Sequence, residues 1–270
     1  MKNISMSFSH GVINRSSKPV LDDVSVSVDR GETLGLMGDS GSGKTTLAKI
    51  AVRLINPDAG NVVIDGEDIT RYDFKRMSSY RSRLQLVFQN PEGALNPEMT
   101  LGDSLREAVF KSKMRSMGIT NAVDSLCAEL GIKKGLLSRY PSQVSGGEIQ
   151  RIALSRVLAM RPDYLFLDEP TSMLDASVQA FIFSVLRDHQ KQFGTGMVLI
   201  THDLDIIRHM CDRVAVIDKG RLVGYGPTSE VLDGSDDGYI RRYCDNWNKL
   251  EKLTPFDDEH EGCRRFDDNP

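Results

Sequence analysis

The stretch Gly38-Asp39-Ser40-Gly41-Ser42-Gly43-Lys44-Thr45 follows the pattern G-x-x-x-x-G-K-[ST] and falls between an apolar run and a segment of helical spacing. Glycines let consecutive backbone N–H groups close around a phosphate, and the start of a helix adds partial positive charge. Lys44 brings a full charge, and the Thr45 hydroxyl is a hard oxygen suited to Mg²⁺. Tyr164-Leu165-Phe166-Leu167-Asp168-Glu169 is an apolar run that ends in two carboxylates. In open α/β sheets, ligands bind at the carboxyl ends of the strands. If both residues continue the pleat, they point to opposite sides, so that one can serve a metal ion and the other a water. Ser145-Gly146-Gly147-Glu148 has the spacing of a helix capping box, and its two glycines would also bare the helix N-terminus to an anion. Gln89 follows a candidate strand, and His202 precedes a helix that Asp203 would cap. Taken singly, these two read as a surface glutamine and a structural histidine.

These residues need particular elements to hold them. Alternation predicts antiparallel strands over 1–8 and 20–28, with a polar loop from Gly11 to Lys18 between them. A strand is expected over Thr33 to Met37. A helix is expected from Lys44 to Ile55 through Leu47, Ile50, Ala51 and Leu54, stopped by Asn56-Pro57-Asp58-Ala59-Gly60. Val62 to Asp65 with the turn Asp65-Gly66-Glu67 reads as a hairpin, and Leu84 to Phe88 as a further strand. From about Asn90 to Gln143 the strand signals vanish, and helices are expected over Leu101–Lys113 and Asn121–Leu130. Beyond Ser145 the pattern becomes helix 148–160, strand 164–167, helix 176–192, strand 197–201, helix 204–211 and strand 213–218. That alternation calls for a mainly parallel sheet covered on both faces. From Thr254 the chain turns polar and charged, as a mobile tail would.

Composition narrows the classes. The 270 residues are 40% hydrophobic and 27% charged, which excludes disordered and fibrous chains and suffices for a core without staples. A net charge of −4 supplies no basic field for nucleic acid. No apolar run approaches the ~20 residues of a membrane-spanning helix. The first residues lack the apolar centre of a signal peptide, so a cytoplasmic location is expected. Cys127, Cys211, Cys244 and Cys263 show no CxxC spacing and suit a reducing compartment.

Together the motifs resemble the ATP-binding subunit of ATP-binding-cassette (ABC) transporters over roughly residues 1–250. Gly38 to Thr46 resembles the Walker A loop, Gln89 the Q-loop, Ser145-Gly146-Gly147-Glu148 the signature motif and Asp168-Glu169 the Walker B pair. Leu174-Asp175 resembles the D-loop and His202 the switch histidine. The resemblance implies the ABC ATPase fold: a P-loop NTPase α/β core with a mainly parallel sheet, an N-terminal antiparallel β subdomain and an all-helical insertion. One domain over 1–253 is expected, its helical subdomain at about 90–160, with 254–270 as the tail. Implied cofactors are ATP and Mg²⁺. Gly38, Ser40, Gly41, Ser42, Gly43, Lys44, Thr45 and Thr46 would hold the phosphates, while Thr45, Gln89 and Asp168 would attend the metal. Glu169 would polarise the attacking water, His202 would bind the γ phosphate, and Lys44 and Gln89 would complete the catalytic set. Ser145, Gly146 and Gly147 would meet the nucleotide of a second ATPase subunit facing head to tail. That subunit could be a different chain or a second copy.

Phe88-Gln89-Asn90-Pro91-Glu92-Gly93-Ala94-Leu95-Asn96-Pro97, Pro170-Thr171-Ser172 and Gly226-Pro227-Thr228 resemble the peptide and nickel importer branch. Membership implies two permeases, an extracytoplasmic binding protein, a place at the cytoplasmic face of the membrane, and a peptide, nickel or metal-chelate cargo. Glu148 stands where many members carry Gln, and Met173 where Ala is commoner. Phe8 is the candidate adenine-stacking ring, with a core aromatic on a strand face as the alternative. Leu95 and Met99, after the Q-loop, are expected by resemblance on an exposed surface where a permease helix docks, with burial between the subdomains as the alternative. Cys244 and Cys263 alone do not supply the four thiolates of an iron-sulfur cluster. A soluble ABC ATPase acting on DNA or ribosomes is disfavoured by the single set of motifs and the acidic charge.

Overall fold

The structure is a computed structural model, and residues 1–10, 16–171 and 174–253 are described. Met173, Cys263 and the polar tail lie outside the described residues.

The elements run β1 (Lys2–His10), β2 (Ser16–Val24), β3 (Thr33–Met37), α1 (Lys44–Ala51), β4 (Ala59–Asn61), β5 (Val63–Ile64), β6 (Glu67–Asp68), α2 (Phe74–Met77) and β7 (Leu84–Val87). A helical stretch follows with α3 (Leu101–Lys111), α4 (Ile119–Glu129) and α5 (Gly146–Leu158), joined by short 3-10 turns. Then come β8 (Tyr164–Asp168), α6 (Ala176–Phe193), β9 (Gly196–Ile200), α7 (Leu204–Met210), β10 (Arg213–Asp218), β11 (Arg221–Pro227), α8 (Thr228–Gly234) and α9 (Gly238–Leu253).

Six strands form the central sheet in the order β11-β10-β3-β9-β8-β7, all parallel except the β10–β11 hairpin. The inner strands β3, β8 and β9 are buried at every position because both faces are covered, and the pleat sends alternate residues to two different cores. Leu165, Leu167, Met197 and Leu199 pack with α5 to α9 and the helical stretch. Phe166, Val198, Ile200, Leu34 and Leu36 pack on the other face with α1 and the antiparallel sheet β2-β1-β4. This is the expected fold, a parallel P-loop core with an antiparallel N-terminal sheet and a helical insertion.

Several boundaries moved for identifiable reasons. β2 spans Ser16–Val24 rather than 20–28, so part of the expected loop is strand. A register shift beside Asp23, at φ +55, bulges β2 and ends its alternation; Val26 beyond it is buried and bonds Met1 through its backbone. α1 stops at Ala51 because Arg53 takes a left-handed conformation, φ +58, with its guanidinium donating to the Ile69 carbonyl. β11, α8 and α9, after residue 218, have no counterpart among the expected elements.

Candidate functional site

The ends of four neighbouring parallel strands deliver the site. β3 runs into the loop 38–43, β9 into Thr201-His202, β8 into Asp168-Glu169 and edge strand β7 into Phe88-Gln89. Two glycines of the loop are there for space. A Cβ on Gly38, at φ +139, would lie 2.0 Å from the Ile217 carbonyl oxygen. One on Gly43, at φ +109, would lie 2.6 Å from Leu21 Cδ2 and 2.8 Å from the Val20 carbonyl oxygen. Gly41 faces open space and needs only its φ of +80. Gly43 is the N-cap of α1 and has no side chain with which to cap it, leaving the first turn to a ligand. Lys44 Nζ arches back and donates to the carbonyls of Gly38 (2.7 Å) and Asp39 (2.8 Å), with Ser42 Oγ at 3.4 Å. Burial holds its ammonium below the ordinary lysine range, against the pull of Glu169, Asp168 and Asp39. Ser40 is exposed and Thr46 half-buried.

Thr45 Oγ1 donates to Asp168 Oδ2 at 2.8 Å, joining the loop to the end of β8. Asp168 is buried, and desolvation, aided by the neighbouring Glu169 charge, raises its pKa against the hydrogen bond from Thr45 and the attraction of Lys44. Asp168 is the last residue of β8. Glu169 has already left the strand at φ +46, with its N–H donating to the Ile200 carbonyl at 2.9 Å. The two carboxylates therefore diverge through a left-handed turn, not through continued pleating as expected. A non-glycine residue held there stores about 1 kcal/mol or more, as residues at functional sites often do. Gln89 Nε2 donates to Glu169 Oε2 at 2.7 Å, and His202 Nδ1 lies 3.5 Å from Glu169 Oε1. Asp203 caps α7 as its position implied, accepting from the Asp205 and Ile206 N–H groups.

The structure thus gathers Lys44, Thr45, Gln89, Asp168, Glu169 and His202. Ser145, Gly146 and Gly147 sit elsewhere, at the start of α5. There the capping box is formed: Ser145 Oγ accepts from the Glu148 N–H, and Glu148 Oε2 accepts from the Ser145 N–H at 2.9 Å. A Cβ on Gly147 would lie 3.3 Å from Leu174 of the loop after β8. Two contacts missed by the sequence reading tie α5 to its neighbours. Buried Gln150 donates to the Pro170 carbonyl at 2.6 Å, and Arg156 to the Ala94 carbonyl at 2.6 Å. Phe8 on β1 is 39% exposed, so the core alternative for its ring falls away. Leu95 is a correction in the other direction. A 3-10 turn over Glu92–Ala94, held by Arg156, folds it into the core with Leu101 and Leu105, where it is 5% exposed; Met99 is half-buried. Two phenols from the unanticipated α9 also reach the site: Tyr239 Oη accepts from the Asp39 N–H, and Tyr243 Oη donates to the His202 carbonyl.

A family model described as ABC transporter matches residues 21–172. A putative peptide import ATP-binding protein of Brucella ovis is 36% identical over 228 residues, 82% of this chain and 70% of that protein. The oligopeptide transport ATP-binding protein OppF of Bacillus subtilis is 35% identical over 230 residues, 83% of this chain and 74% of its own length. Among solved structures, a dimeric ATP-binding cassette in a post-hydrolysis state, bound to ADP and Pi, matches with a TM-score of 0.76 at 26% identity. The match covers 84% of this chain and 97% of that one.

Proposed function

This chain belongs to the ABC transporter family as an ATP-binding cassette, and we propose that it energises a peptide importer by hydrolysing ATP at the site gathered around Glu169. Peptide is favoured over nickel or a metal chelate by the names of its relatives, which are peptide and oligopeptide import proteins. The observation that carries the reading is the convergence of phosphate loop, buried carboxylate and Gln89–Glu169–His202 cluster on one sheet edge.

In this mechanism the N–H groups of residues 41–46 and the Lys44 ammonium cradle the ATP phosphates, exchanging the Gly38 and Asp39 carbonyls for phosphate oxygens. The hydroxyl and carboxylate oxygens of Thr45 and Asp168, 2.8 Å apart, fit the hard-oxygen preference of Mg²⁺, and Gln89, bonded to the adjacent Glu169, would complete the set. The ion would neutralise charge on the transferring phosphoryl group. Glu169 polarises the attacking water, Gln89 orients the Glu169 carboxylate, and His202 meets the γ phosphate. Ser145, Gly146 and Gly147 present the α5 N-terminus to the nucleotide of a second cassette, a different chain or a second copy. Phe8, with its exposed ring, stacks on adenine. Residues 1–253 act as one ATPase domain, and 90–160 as the helical subdomain. The further partners are two permeases and an extracytoplasmic binding protein, with this subunit held at the cytoplasmic membrane face; no helix among the described residues is long and apolar enough to cross a membrane.

Calorimetry on Lys44→Ala tests the phosphate site. Nucleotide affinity should fall by about 1.5 to 3 kcal/mol, the usual worth of a charge-assisted contact. An unchanged affinity in a folded variant contradicts the reading.

A further inference from the structure

α9 lies outside the motif set, yet it touches two of the motif loops. Its start is fixed independently of the site: Asp237 Oδ1 accepts from the Tyr239 N–H at 2.8 Å and the Ile240 N–H at 3.2 Å. Its inner face is anchored by Ile240 and Cys244, 2% and 7% exposed, in the core that also holds β10 and α8. Gly224 of β11 makes this approach possible, since a Cβ there would lie 2.6 Å from Ile240 Cδ1. On such a seated helix, residues four apart share a face. Tyr239 and Tyr243 stand in that relation, with ring centroids 6.2 Å apart, and their hydroxyls diverge to different loops. Tyr239 Oη accepts from the Asp39 N–H at 2.9 Å, while the carbonyl of the same residue receives Lys44 Nζ at 2.8 Å. Tyr243 Oη donates to the backbone carbonyl of His202 at 3.2 Å.

We infer that α9 is a strap across the nucleotide site and that Tyr239 and Tyr243 are positioning residues, the first setting the phosphate loop and the second the His202 loop. One rigid element then fixes both sides of the phosphate chain relative to each other. The inference rests on the proposed ATP site. Because Ile240, Cys244 and Asp237 hold the helix without help from the phenol tips, removing a hydroxyl leaves the fold intact and loosens only the loop it touches. Tyr239 acts where all phosphates bind, whereas Tyr243 acts through His202, the residue assigned to the γ phosphate.

The test is binding of ADP and of a non-hydrolysable ATP analogue, with Mg²⁺, to the full chain and its Tyr239→Phe, Tyr243→Phe and Lys44→Ala variants. Trp247, the single tryptophan and part of the α9 packing, verifies by its emission that the helix stays docked. Loss of one neutral hydrogen bond should be read as about a threefold to tenfold weakening. Tyr239→Phe should weaken both nucleotides by that factor; Tyr243→Phe should weaken the ATP analogue and leave ADP within twofold. Wild-type affinities in both phenylalanine variants, alongside a weakened Lys44→Ala, overturn the strap alone. Equal losses for both nucleotides in Tyr243→Phe, accompanied by a lower melting temperature, overturn it in favour of a merely structural role. If Lys44→Ala also binds normally, the underlying site assignment fails instead.

Discussion

Gly38 and Gly41 both belong to the phosphate loop but carry different constraints, and the difference is measurable. A methyl group on Gly38 meets the Ile217 carbonyl oxygen at 2.0 Å, and the atom in its way is backbone that cannot rotate aside. Gly38→Ala should therefore destabilise the subunit by several kcal/mol, whereas Gly41→Ala, strained only by its φ, should cost about 1 kcal/mol. Paired melting curves in the absence of nucleotide check this; equal losses contradict it. The sequence makes the candidate residues Lys44, Thr45, Asp168 and Glu169 legible from their own pattern, and Gln89 and His202 only through the resemblance; the structure brings all six together. It did not encode how Glu169 is aimed, because a left-handed residue after a strand leaves no mark in the periodicity. Tyr239 and Tyr243 were equally silent, as aromatic residues at helical spacing are ordinarily core.

Elements whose pattern repeats are legible in the sequence, and those bent by tertiary contacts are not. β3, β8 and β10 match expectation because burial on both faces demands an unbroken apolar run. The segment after Gln89 is largely exposed, as Pro91, Gly93 and Pro97 imply, but a 3-10 turn delivers one of its residues, Leu95, inward. Two substitutions separate the residues once grouped together. Leu95→Asp should destabilise the subunit by about 3 kcal/mol or more through burial of an unpaired charge, and Met99→Asp far less, as chemical denaturation would report. α6 carries a second testable feature. His189, 2% exposed, packs against Phe193 at 4.7 Å, its Nε2 has no hydrogen-bond partner, and burial, reinforced by Arg161, lowers its pKa to about 4. As pH falls from 6.5, the unfolded chain takes this proton first. The stability His189 contributes above pH 6.5 is thus lost progressively down to about pH 4, by up to about 3 kcal/mol. His189→Phe should flatten the stability–pH curve across that window; an unchanged slope contradicts the assignment.

At the scale of the molecule, one parallel sheet edge collects residues from four loops, and the chain then returns through β11, α8 and α9 to lie against two of them. The returning segment was not legible because two glycines weaken the β11 strand signal and α9 reads as a polar amphipathic stretch whose partner lies far back in the sequence. The helical part, tied to the core by the Gln150–Pro170 hydrogen bond, places Ser145 and the exposed α5 start away from Lys44, as the proposed facing cassette would require. The proposed hydrolysis depends on Glu169 being the group that activates water. The most direct measurement is ATP turnover and ATP affinity of Glu169→Gln, which retains size and hydrogen bonding to Gln89 but loses the negative charge. The account predicts nucleotide affinity close to wild type with hydrolysis nearly abolished; turnover near the wild-type rate contradicts it.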